Sequence, residues 1–470
     1  MSHERLSSSF TADEVVALAA GRVLLRSDLP VRGAAVDSRL VRPGNLFVAL
    51  PGAHVDGHAF VGPAVAAGAT AAIVTREPDG LGEIGEATII LVDDALVALH
   101  RLAAAWRGRF DPLVVGITGS IAKTSTKEAV AAVLGRRFRT LRTPGNMNNE
   151  IGLPLALLDL DAEHEAAVLE MGMYVGGEIA TLAAIARPRV GVVTAVQGVH
   201  LSRTGSLDAI EDAKAELVEA LPPSGVAVLS ADDPRVRGMA GRTLARVSTY
   251  GFAEEADVRA TGVRSEGFSG MAFWLRMEGE ELPVRIPTLG ALAVHNALAA
   301  AAVGRAAGLS TADIVDGLAA GWSAPHRAQL SVVAGVAVVD DAYNASPGSM
   351  RAALELLAGL PGRRIAVLGE MRELGEAAAV GHREVGAAAA VVCDLLIVVG
   401  PEASAIADGA QWSGLDPDAV VRAADADEAR AVLADRLRDG DVVLVKASRA
   451  AELDRLVEAI LADLGARGDG

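Results

Sequence analysis

Several residue types and segments are scarce in this 470-residue chain. Cys393 is the only cysteine, so no intrachain disulfide can form, and its apolar neighbours predict a buried, unreactive thiol. Aromatic residues make up only 3% of the chain and hydrophobic residues 51%, so its cores are predicted to be aliphatic. Aliphatic residues together with many glycines are typical of α/β proteins with buried parallel strands.

Basic side chains are also in short supply. Acidic side chains number 60 and basic ones 43, and the formal net charge is −17. This balance argues against a nucleic-acid partner, because binding a phosphate backbone requires a basic face. It remains compatible with a nucleotide substrate, since one loop and a bound Mg²⁺ can neutralise phosphates locally.

Long apolar segments are missing as well. No uncharged apolar run approaches the ~20 residues that a membrane helix needs. The first residues lack the apolar stretch of a signal peptide. We therefore expect a cytoplasmic protein with no membrane span, and we expect it to be a monomer.

The chain length suggests about three domains, and the patterns along the chain divide it accordingly. Residues 1–111 contain short strands and end in a helix. Residues 112–323 alternate strands and helices, which predicts a doubly wound parallel sheet, with an antiparallel excursion at Tyr250–Pro287. Residues 324–470 repeat the alternation, beginning with a single predicted strand at Val332–Val339, and predict a smaller Rossmann-like domain.

A candidate phosphate-binding loop opens the second segment, Gly116-Ile-Thr-Gly-Ser-Ile-Ala-Lys-Thr-Ser125. A predicted strand precedes it and a helix follows, so backbone N–H groups at the turn and helix start could surround phosphates. In this reading Lys123 reaches the β- and γ-phosphates and the Thr124 hydroxyl ligates Mg²⁺. Ile117 and Ala122 occupy the glycine positions of the strict phosphate-loop pattern. An ordinary turn with a lysine at the helix start is the alternative.

Four further side chains could belong to the same site. Glu170 closes an apolar strand, His200 and Lys214 follow, and Asn296 begins a helix. Glu170, His200 and Lys214 have plainer interpretations when taken alone, as a solvated carboxylate, a structural histidine and a solvated or paired surface lysine. Carboxylate and imidazole are nevertheless suitable ligands for a metal ion beside a phosphate.

The loop and these four residues, in this order, resemble the Mur ligase family. The resemblance implies ATP and Mg²⁺ as cofactors, a metal site at Thr124, Glu170, His200 and a carbamylated Lys214, and catalysis by these groups with Lys123 and Arg327. It implies nucleotide contacts at Gly116, Thr118, Gly119, Ser120, Ala122, Lys123, Thr124, Ser125, Asn296, Arg327, Asp341 and Tyr343.

A block in the third segment narrows the resemblance within the family. Residues Asp340-Asp-Ala-Tyr-Asn-Ala-Ser-Pro-Gly-Ser-Met350 resemble those of the members that join D-alanyl-D-alanine to UDP-MurNAc-tripeptide. The Gly369–Gly375 and Val445–Arg449 blocks resemble those same members, and the Asp37-Ser-Arg39 region resembles their UDP-sugar-binding domain. The implied substrate contacts are Ser38, Arg39, Asn146, Asn149, Asn344 and Ser349.

The implied reaction is an amide ligation that passes through an acyl phosphate. The sequence departs from the family pattern at four positions, where Ala122 and Ala447 replace glycine, Ser346 replaces asparagine and Glu370 replaces aspartate. If the backbone at residue 122 requires a positive φ, its methyl group carries strain.

Three alternatives remain open: a Mur-type ligase for another carboxylate and amine, a non-catalytic nucleotide-binding paralogue, and, least supported, a phosphate-loop motor or switch. The sequence does not distinguish lysine from diaminopimelate in the acceptor tripeptide.

Overall fold

The computed structural model describes residues 9–52, 55–198, 205–372 and 374–468. These residues form three β-sheets with helices packed on them, and each sheet lies within one of the three predicted segments. The boundaries at residues 111 and 323 stay predictions. No helix in the described ranges has the length and apolar character needed to cross a bilayer.

The first sheet has the strand order β1-β5-β4-β3-β2, parallel except for the antiparallel pairing of β1 with β5. Helix α3 covers it and begins at Asp94, whose carboxylate accepts hydrogen bonds from two backbone N–H groups of the first turn. The elements are α1 (Ala12–Ala19), β1 (Arg22–Leu25), β2 (Ala34–Ala35), β3 (Leu46–Val48), α2 (Val61–Ala66), β4 (Ala71–Val74), β5 (Thr88–Leu91) and α3 (Ala95–Arg107).

The second sheet is the largest, with nine strands in the order β14-β13-β12-β11-β10-β9-β6-β8-β7. Its strands are β6 (Leu113–Thr118), β7 (Thr140–Arg142), β8 (Ala166–Glu170), β9 (Val190–Val193), β10 (Val226–Ser230), β11 (Arg246–Gly251), β12 (Val258–Ser265), β13 (Met271–Met277) and β14 (Glu280–Ile286). Its helices are α4 (Lys123–Leu134), α5 (Gly152–Leu157), α6 (Glu178–Ala186), α7 (Leu207–Glu219), α8 (Pro234–Gly238), α9 (Ala291–Ala306) and α10 (Thr311–Ala319).

The topology of this sheet determines where a ligand can bind. Strand β6 lies between β8 and β9, so the chain leaves β6 toward one side of the sheet and later returns to the other side. In open α/β sheets such a reversal forms a crevice outside the carboxyl ends of the strands. The candidate phosphate loop follows β6 at this point. The predicted antiparallel excursion corresponds to β12, β13 and β14.

The third sheet has the order β15-β16-β20-β17-β18-β19, parallel apart from β15. Its elements are β15 (Gln329–Val333), β16 (Val336–Asp340), α11 (Pro347–Ala358), β17 (Arg363–Leu368), α12 (Ala378–Val392), β18 (Leu395–Val399), α13 (Ser404–Trp412), β19 (Val420–Ala423), α14 (Ala426–Arg436), β20 (Asp441–Lys446) and α15 (Leu453–Gly468). The single strand predicted at Val332–Val339 is wrong, because a tight turn at Ala334 and Gly335 makes it part of the β15–β16 hairpin.

The cores are aliphatic, as the composition predicted. The buried clusters consist almost entirely of Val, Leu, Ile, Ala and Met side chains, with few aromatic rings. Cys393 packs in the core of the third sheet, where burial raises the pKa of its thiol to about 12. The prediction of a buried, unreactive cysteine is thus supported, because the reactive thiolate is scarce at neutral pH.

Candidate active site

A cavity of about 450 Å³ lies between the second and third sheets, beside the loop that follows β6. Each sheet together with its helices is called a unit below. Residues of the second and of the third unit line the cavity, so neither unit forms it alone. The predicted site residues that line it are Ser120, Ala122, Lys123, Ser125, Asn146, Asn296, Arg327, Asp341, Tyr343, Asn344 and Ser349.

The loop after β6 is fixed to the end of the neighbouring strand β9. Gly119 has a φ of 148°, and a Cβ there would lie 1.8 Å from the Thr194 hydroxyl oxygen, so only glycine fits. The Thr194 hydroxyl donates to the Ile121 carbonyl at 2.6 Å. Ser120 and Gln197 are joined by two hydrogen bonds, of 2.8 and 3.0 Å. The loop is therefore preorganised around the start of α4.

Lys123 is the cation of this loop. Its ammonium donates to the Gly119 carbonyl at 2.7 Å, so the side chain folds back over the turn. Removal from water lowers the pKa of Lys123, the nearby Glu170 carboxylate opposes that shift, and the Arg327 guanidinium adds to it. The three charged groups are therefore close enough to act on one another.

Glu170 ends strand β8 with a buried carboxylate that is only half satisfied. Its side chain is 2% exposed, and one oxygen, Oε1, accepts from the Asn148 amide at 2.7 Å. The other oxygen, Oε2, is buried and has no hydrogen-bond partner among the described residues, and neither does the hydroxyl of Thr118 on the adjacent strand. Buried polar atoms without partners are rare and indicate a missing ligand.

Lys214 lies on α7 and is 2% exposed. Burial lowers the pKa of its amine well below the usual value, and the positive charge of Lys123 lowers it further. His200, the other predicted metal ligand near it, lies outside the described residues. No group of three His, Cys, Asp or Glu side chains meets within the described ranges.

The far end of the cavity has the composition of a nucleobase pocket. Asn296 on α9 is 4% exposed, and its side-chain oxygen accepts from the Thr126 hydroxyl at 3.0 Å. The Thr288 hydroxyl of the cavity lining is buried, and no residue in the part of the chain that the structure describes forms a hydrogen bond with it. Apolar side chains from both units, including Leu292 and Leu356, form the adjacent walls. An apolar slot between the two units with a few polar groups suits an aromatic base.

The third unit contributes charged and aromatic groups to the opposite wall. Lys446, which is 3% exposed, donates to the Asp341 carboxylate at 2.5 Å and to the Asn344 carbonyl at 2.9 Å. The Arg327 guanidinium carbon lies 4.2 Å from the centre of the Tyr343 ring, a cation–π distance. Burial raises the pKa of Tyr343, and Arg327 partly opposes the shift. The segment that follows β16 is therefore fixed beside the phosphate loop.

Several predicted site residues do not line the cavity. Gly116 packs inside the second sheet, where a Cβ would lie 2.9 Å from Leu217. The Asn149 side-chain oxygen accepts from the N–H of Gly152, the first residue of α5, at 2.8 Å and so is occupied by the backbone. Ser38 and Arg39 lie in the first unit, where Arg39 pairs with Asp37. The remaining predicted residues outside the lining are Thr118, Gly119, Thr124, Glu170 and Lys214.

The sequence prediction also missed residues that the structure brings to the cavity. These are Thr288, Trp322, Arg372, Lys446, Ser448 and Arg449. The last three lie in the Val445–Arg449 block already matched to the family, so that block was the available signal. Thr288 and Trp322 gave no signal, because nothing in the sequence shows that they face the phosphate loop.

Comparison with known proteins agrees with this geometry. Three family descriptions match the chain: "Mur ligase family, catalytic domain" at residues 30–107, "Mur ligase middle domain" at 117–304 and "Mur ligase, glutamate ligase domain" at 326–449. A UDP-N-acetylmuramoyl-tripeptide–D-alanyl-D-alanine ligase from Mycobacterium bovis is 41% identical over 468 residues, which covers 91% of each chain.

Solved structures agree over nearly the whole chain. The crystal structure of MurF from Acinetobacter baumannii has a TM-score of 0.87 at 30% identity and covers 97% of this chain and 99% of its own. MurF ligase from Thermotoga maritima in complex with ADP has a TM-score of 0.82 at 32% identity and covers 94% of this chain and 100% of its own. The ordered blocks, the three sheets and the shared cavity thus have one explanation, and the chain belongs to the Mur ligase family.

Proposed function

We propose that this protein joins D-alanyl-D-alanine to UDP-MurNAc-tripeptide, using ATP and passing through an acyl phosphate. The observation that carries the proposal is the shared cavity, in which the phosphate loop of the second unit faces the Asp341–Ser349 segment of the third. The M. bovis and MurF relatives, whose names describe this ligation, support it over most of the chain. In this proposal the three predicted segments act as domains, in a cytoplasmic monomer.

ATP fits the two ends of the cavity. The loop from Gly119 to Ala122 leads into the first turn of α4, where free backbone N–H groups and the helix dipole favour a phosphate. Asn296 and the apolar slot are suited to adenine. The ADP bound to the T. maritima relative supports the assignment.

Mg²⁺ fits the donors beside the loop. The oxygens of Glu170 and Thr118 that have no partner among the described residues are hard ligands of the kind that Mg²⁺ prefers, and Thr124 lies in the first turn of α4. Glu170 and Thr124 would hold the ion together with the nucleotide phosphates, and His200 is the further proposed ligand. When bound, the ion would supply positive charge next to the transferred phosphoryl group.

Two cationic side chains, Lys123 and Arg327, would stabilise the charges that develop during the reaction. Carboxylates repel an incoming phosphoryl group, so Lys123 and Arg327 would neutralise the negative charge as the carboxylate attacks the γ-phosphorus. Stacking on Tyr343 would hold Arg327 in place. The dipeptide amine would then displace phosphate from the acyl carbon. We propose that Asn146, Asn149, Asn344 and Ser349 position the reacting groups and that Ser38 and Arg39 bind the UDP end.

Lys214 is proposed to act as a carbamate. Its buried, neutral amine could add to CO₂, forming an N–C bond and releasing one proton, and the resulting anion would lie near Lys123. Replacing Lys214 with Ala should lower kcat by at least about 10²-fold, since it removes a group that supports the metal site. Short carboxylates should restore part of the activity. An unimpaired Lys214→Ala enzyme would show that the carbamate assignment is wrong.

One assay tests the function itself. Purified protein is incubated with ATP, Mg²⁺, UDP-MurNAc-tripeptide and D-alanyl-D-alanine, and phosphate release is measured as each component is omitted. We expect release only with all four present, and a pentapeptide product by mass spectrometry. Release that does not depend on the dipeptide would contradict the proposal, and no release with any amine would indicate a non-catalytic paralogue. Parallel reactions with lysine- and diaminopimelate-containing tripeptides reveal the preferred acceptor.

A further inference from the structure

Lys127 is a buried cation that the proposed chemistry does not use. It lies one helical turn after Lys123 on α4, yet its side chain is 0% exposed and does not line the cavity. A lysine is almost never fully buried unless its ammonium group is paired. Its partners therefore indicate what its charge stabilises.

The partners of Lys127 are backbone carbonyls of one short segment, Thr143–Asn148. Its ammonium donates to the Thr143 carbonyl at 2.7 Å and to the Gly145 carbonyl at 3.1 Å. The neighbouring Glu128 carboxylate, at 3.1 Å, balances the charge. A charged donor shared by two carbonyls fixes the segment against α4 more firmly than neutral hydrogen bonds would.

The same segment holds Glu170. The Thr143 hydroxyl oxygen accepts from the Glu170 backbone N–H at 3.1 Å, and the Asn148 amide donates to Glu170 Oε1 at 2.7 Å. The Asn148 carbonyl in turn accepts from the Gly172 N–H at 2.7 Å. Both ends of the segment thus contact the strand end that carries the carboxylate.

Gly172 leaves room for this arrangement. A Cβ at residue 172 would lie 3.0 to 3.3 Å from three atoms of the Asn148 amide group. The amide can therefore reach Glu170 only because residue 172 has no side chain. Its hydrogen bond occupies one carboxylate oxygen and leaves Oε2 buried and free.

We propose that Lys127 and Asn148 are positioning residues, which present the free oxygen of Glu170 to Mg²⁺. Lys127 fixes the Thr143–Asn148 segment, and Asn148 fixes the carboxylate so that it binds the ion through one oxygen. Such monodentate coordination is compatible with the octahedral geometry of Mg²⁺. The inference rests on the proposed function only in taking Glu170 as a magnesium ligand.

Nucleotide binding tests this without any ligation. Calorimetry measures the affinity for ADP without Mg²⁺ and across a Mg²⁺ titration, in wild-type protein and in the variants Lys127→Met and Asn148→Ala. Partners of metal ligands change metal affinity by about 10- to 100-fold when removed. We expect the Mg²⁺ concentration that half-maximally strengthens ADP binding to rise at least about 10-fold in both variants. Their affinity for ADP without Mg²⁺ should stay within about twofold of wild type.

Two further variants complete the design. Gly172→Ala should raise the Mg²⁺ requirement in the same way, since its methyl group displaces the Asn148 amide. Arg142→Ala is the matched control, because the Arg142 side chain pairs with Oε2 of Glu128 at 3.3 Å, the oxygen that Lys127 does not use, and is 57% exposed. It should behave as wild type.

The outcomes separate this inference from the function. A Mg²⁺ dependence unchanged in Lys127→Met and Asn148→Ala would overturn the positioning role and leave the ligase proposal standing. If Lys127→Met does not fold, Asn148→Ala and Gly172→Ala decide the question. Wild-type ADP binding that is indifferent to Mg²⁺ would overturn the metal site and the positioning role together.

Discussion

Two alanines that replace family glycines have opposite structural consequences. Ala122 has a φ of 64° and a ψ of 1°, a left-handed conformation in which the methyl group is strained. Ala447 does not share this conformation and packs its methyl group opposite Gly369, where a second Cβ would lie only 2.7 Å away. The first replacement strains the phosphate loop, whereas the second fills space that its neighbour leaves.

Replacing Ala122 with Gly should therefore stabilise the protein and tighten nucleotide binding. The expected gain in the free energy of unfolding is about 1 kcal/mol, the cost of a left-handed conformation less the chain entropy of glycine. Denaturant unfolding and calorimetric ADP titration measure the two effects. Ala447→Gly is the control and should lose about 1 kcal/mol, because it removes a buried methyl group. Equal effects of the two changes would contradict this interpretation.

A third departure from the family pattern, Ser346, has a structural explanation. It is the N-cap of α11, and its hydroxyl oxygen accepts from the Ser349 backbone at 3.4 Å while the Ser349 hydroxyl oxygen accepts from the Ser346 N–H at 2.9 Å. Serine and asparagine are about equally good N-caps. The replacement therefore preserves the helix start that carries Ser349.

At the scale of elements, two helices of the third unit pack unusually closely. A Cβ at Gly386 on α12 would lie 1.9 Å from the Ile406 carbonyl, and a Cβ at Gly409 on α13 would lie 2.1 Å from the Arg383 carbonyl. Backbone meets backbone at this contact, so no side-chain adjustment can accommodate a methyl group. The two glycines thus set the distance between the helices.

Gly386→Ala or Gly409→Ala should each lower the free energy of unfolding by about 1–3 kcal/mol, because the helices must separate. Chemical denaturation followed by circular dichroism measures this. Gly465→Ala on α15 is the matched control, since a Cβ there meets nothing within 4 Å. It should stabilise the protein slightly, by about 0.5–1 kcal/mol, as alanine does in open helix positions. Similar losses at all three positions would refute the close-packing argument.

At the scale of the whole molecule, the second and third units meet directly beside the phosphate loop. A Cβ at Gly348, near the start of α11, would lie 2.3 Å from the Gln197 side-chain oxygen. Gln197 is itself hydrogen-bonded to Ser120 of the loop. Gln197 uses its backbone N–H and carbonyl for these bonds, so its flexible side chain is the part of this contact that a side chain at residue 348 would displace first.

Gly348→Val should separate the two units and lower kcat for ligation by about 10²-fold, the scale expected when reacting groups move by about 1 Å. Steady-state kinetics measures this, and circular dichroism checks that the variant is folded. The double variant Gly348→Val/Gln197→Ala should recover part of the loss, because the obstructing amide is gone. Equal kcat in the single and double variants would show that this contact does not set the separation.

Much of the fold could be predicted from the chain. The strand before the phosphate loop and helix α4 are predicted within their observed bounds, because a fully apolar run and a glycine turn are strong local signals. The β15–β16 hairpin was missed because Ala334 occupies the first turn position with a φ of 47°, where the usual signal is Asn or Gly. The short strands β2 and β7 were missed for lack of length.

The candidate site, like the fold, could be predicted from the sequence only in part. The sequence alone indicated the family, the order of the family blocks and Lys123, Glu170 and Lys214 as candidate site residues, because these depend on residue type and order along the chain. Only the tertiary structure decided that Ala122 is strained, that Lys127 holds the Thr143–Asn148 segment and that Thr288 and Arg372 reach the cavity. Those facts depend on backbone angles, burial and contacts between residues far apart in the chain, which exist only once the sheets have packed against each other.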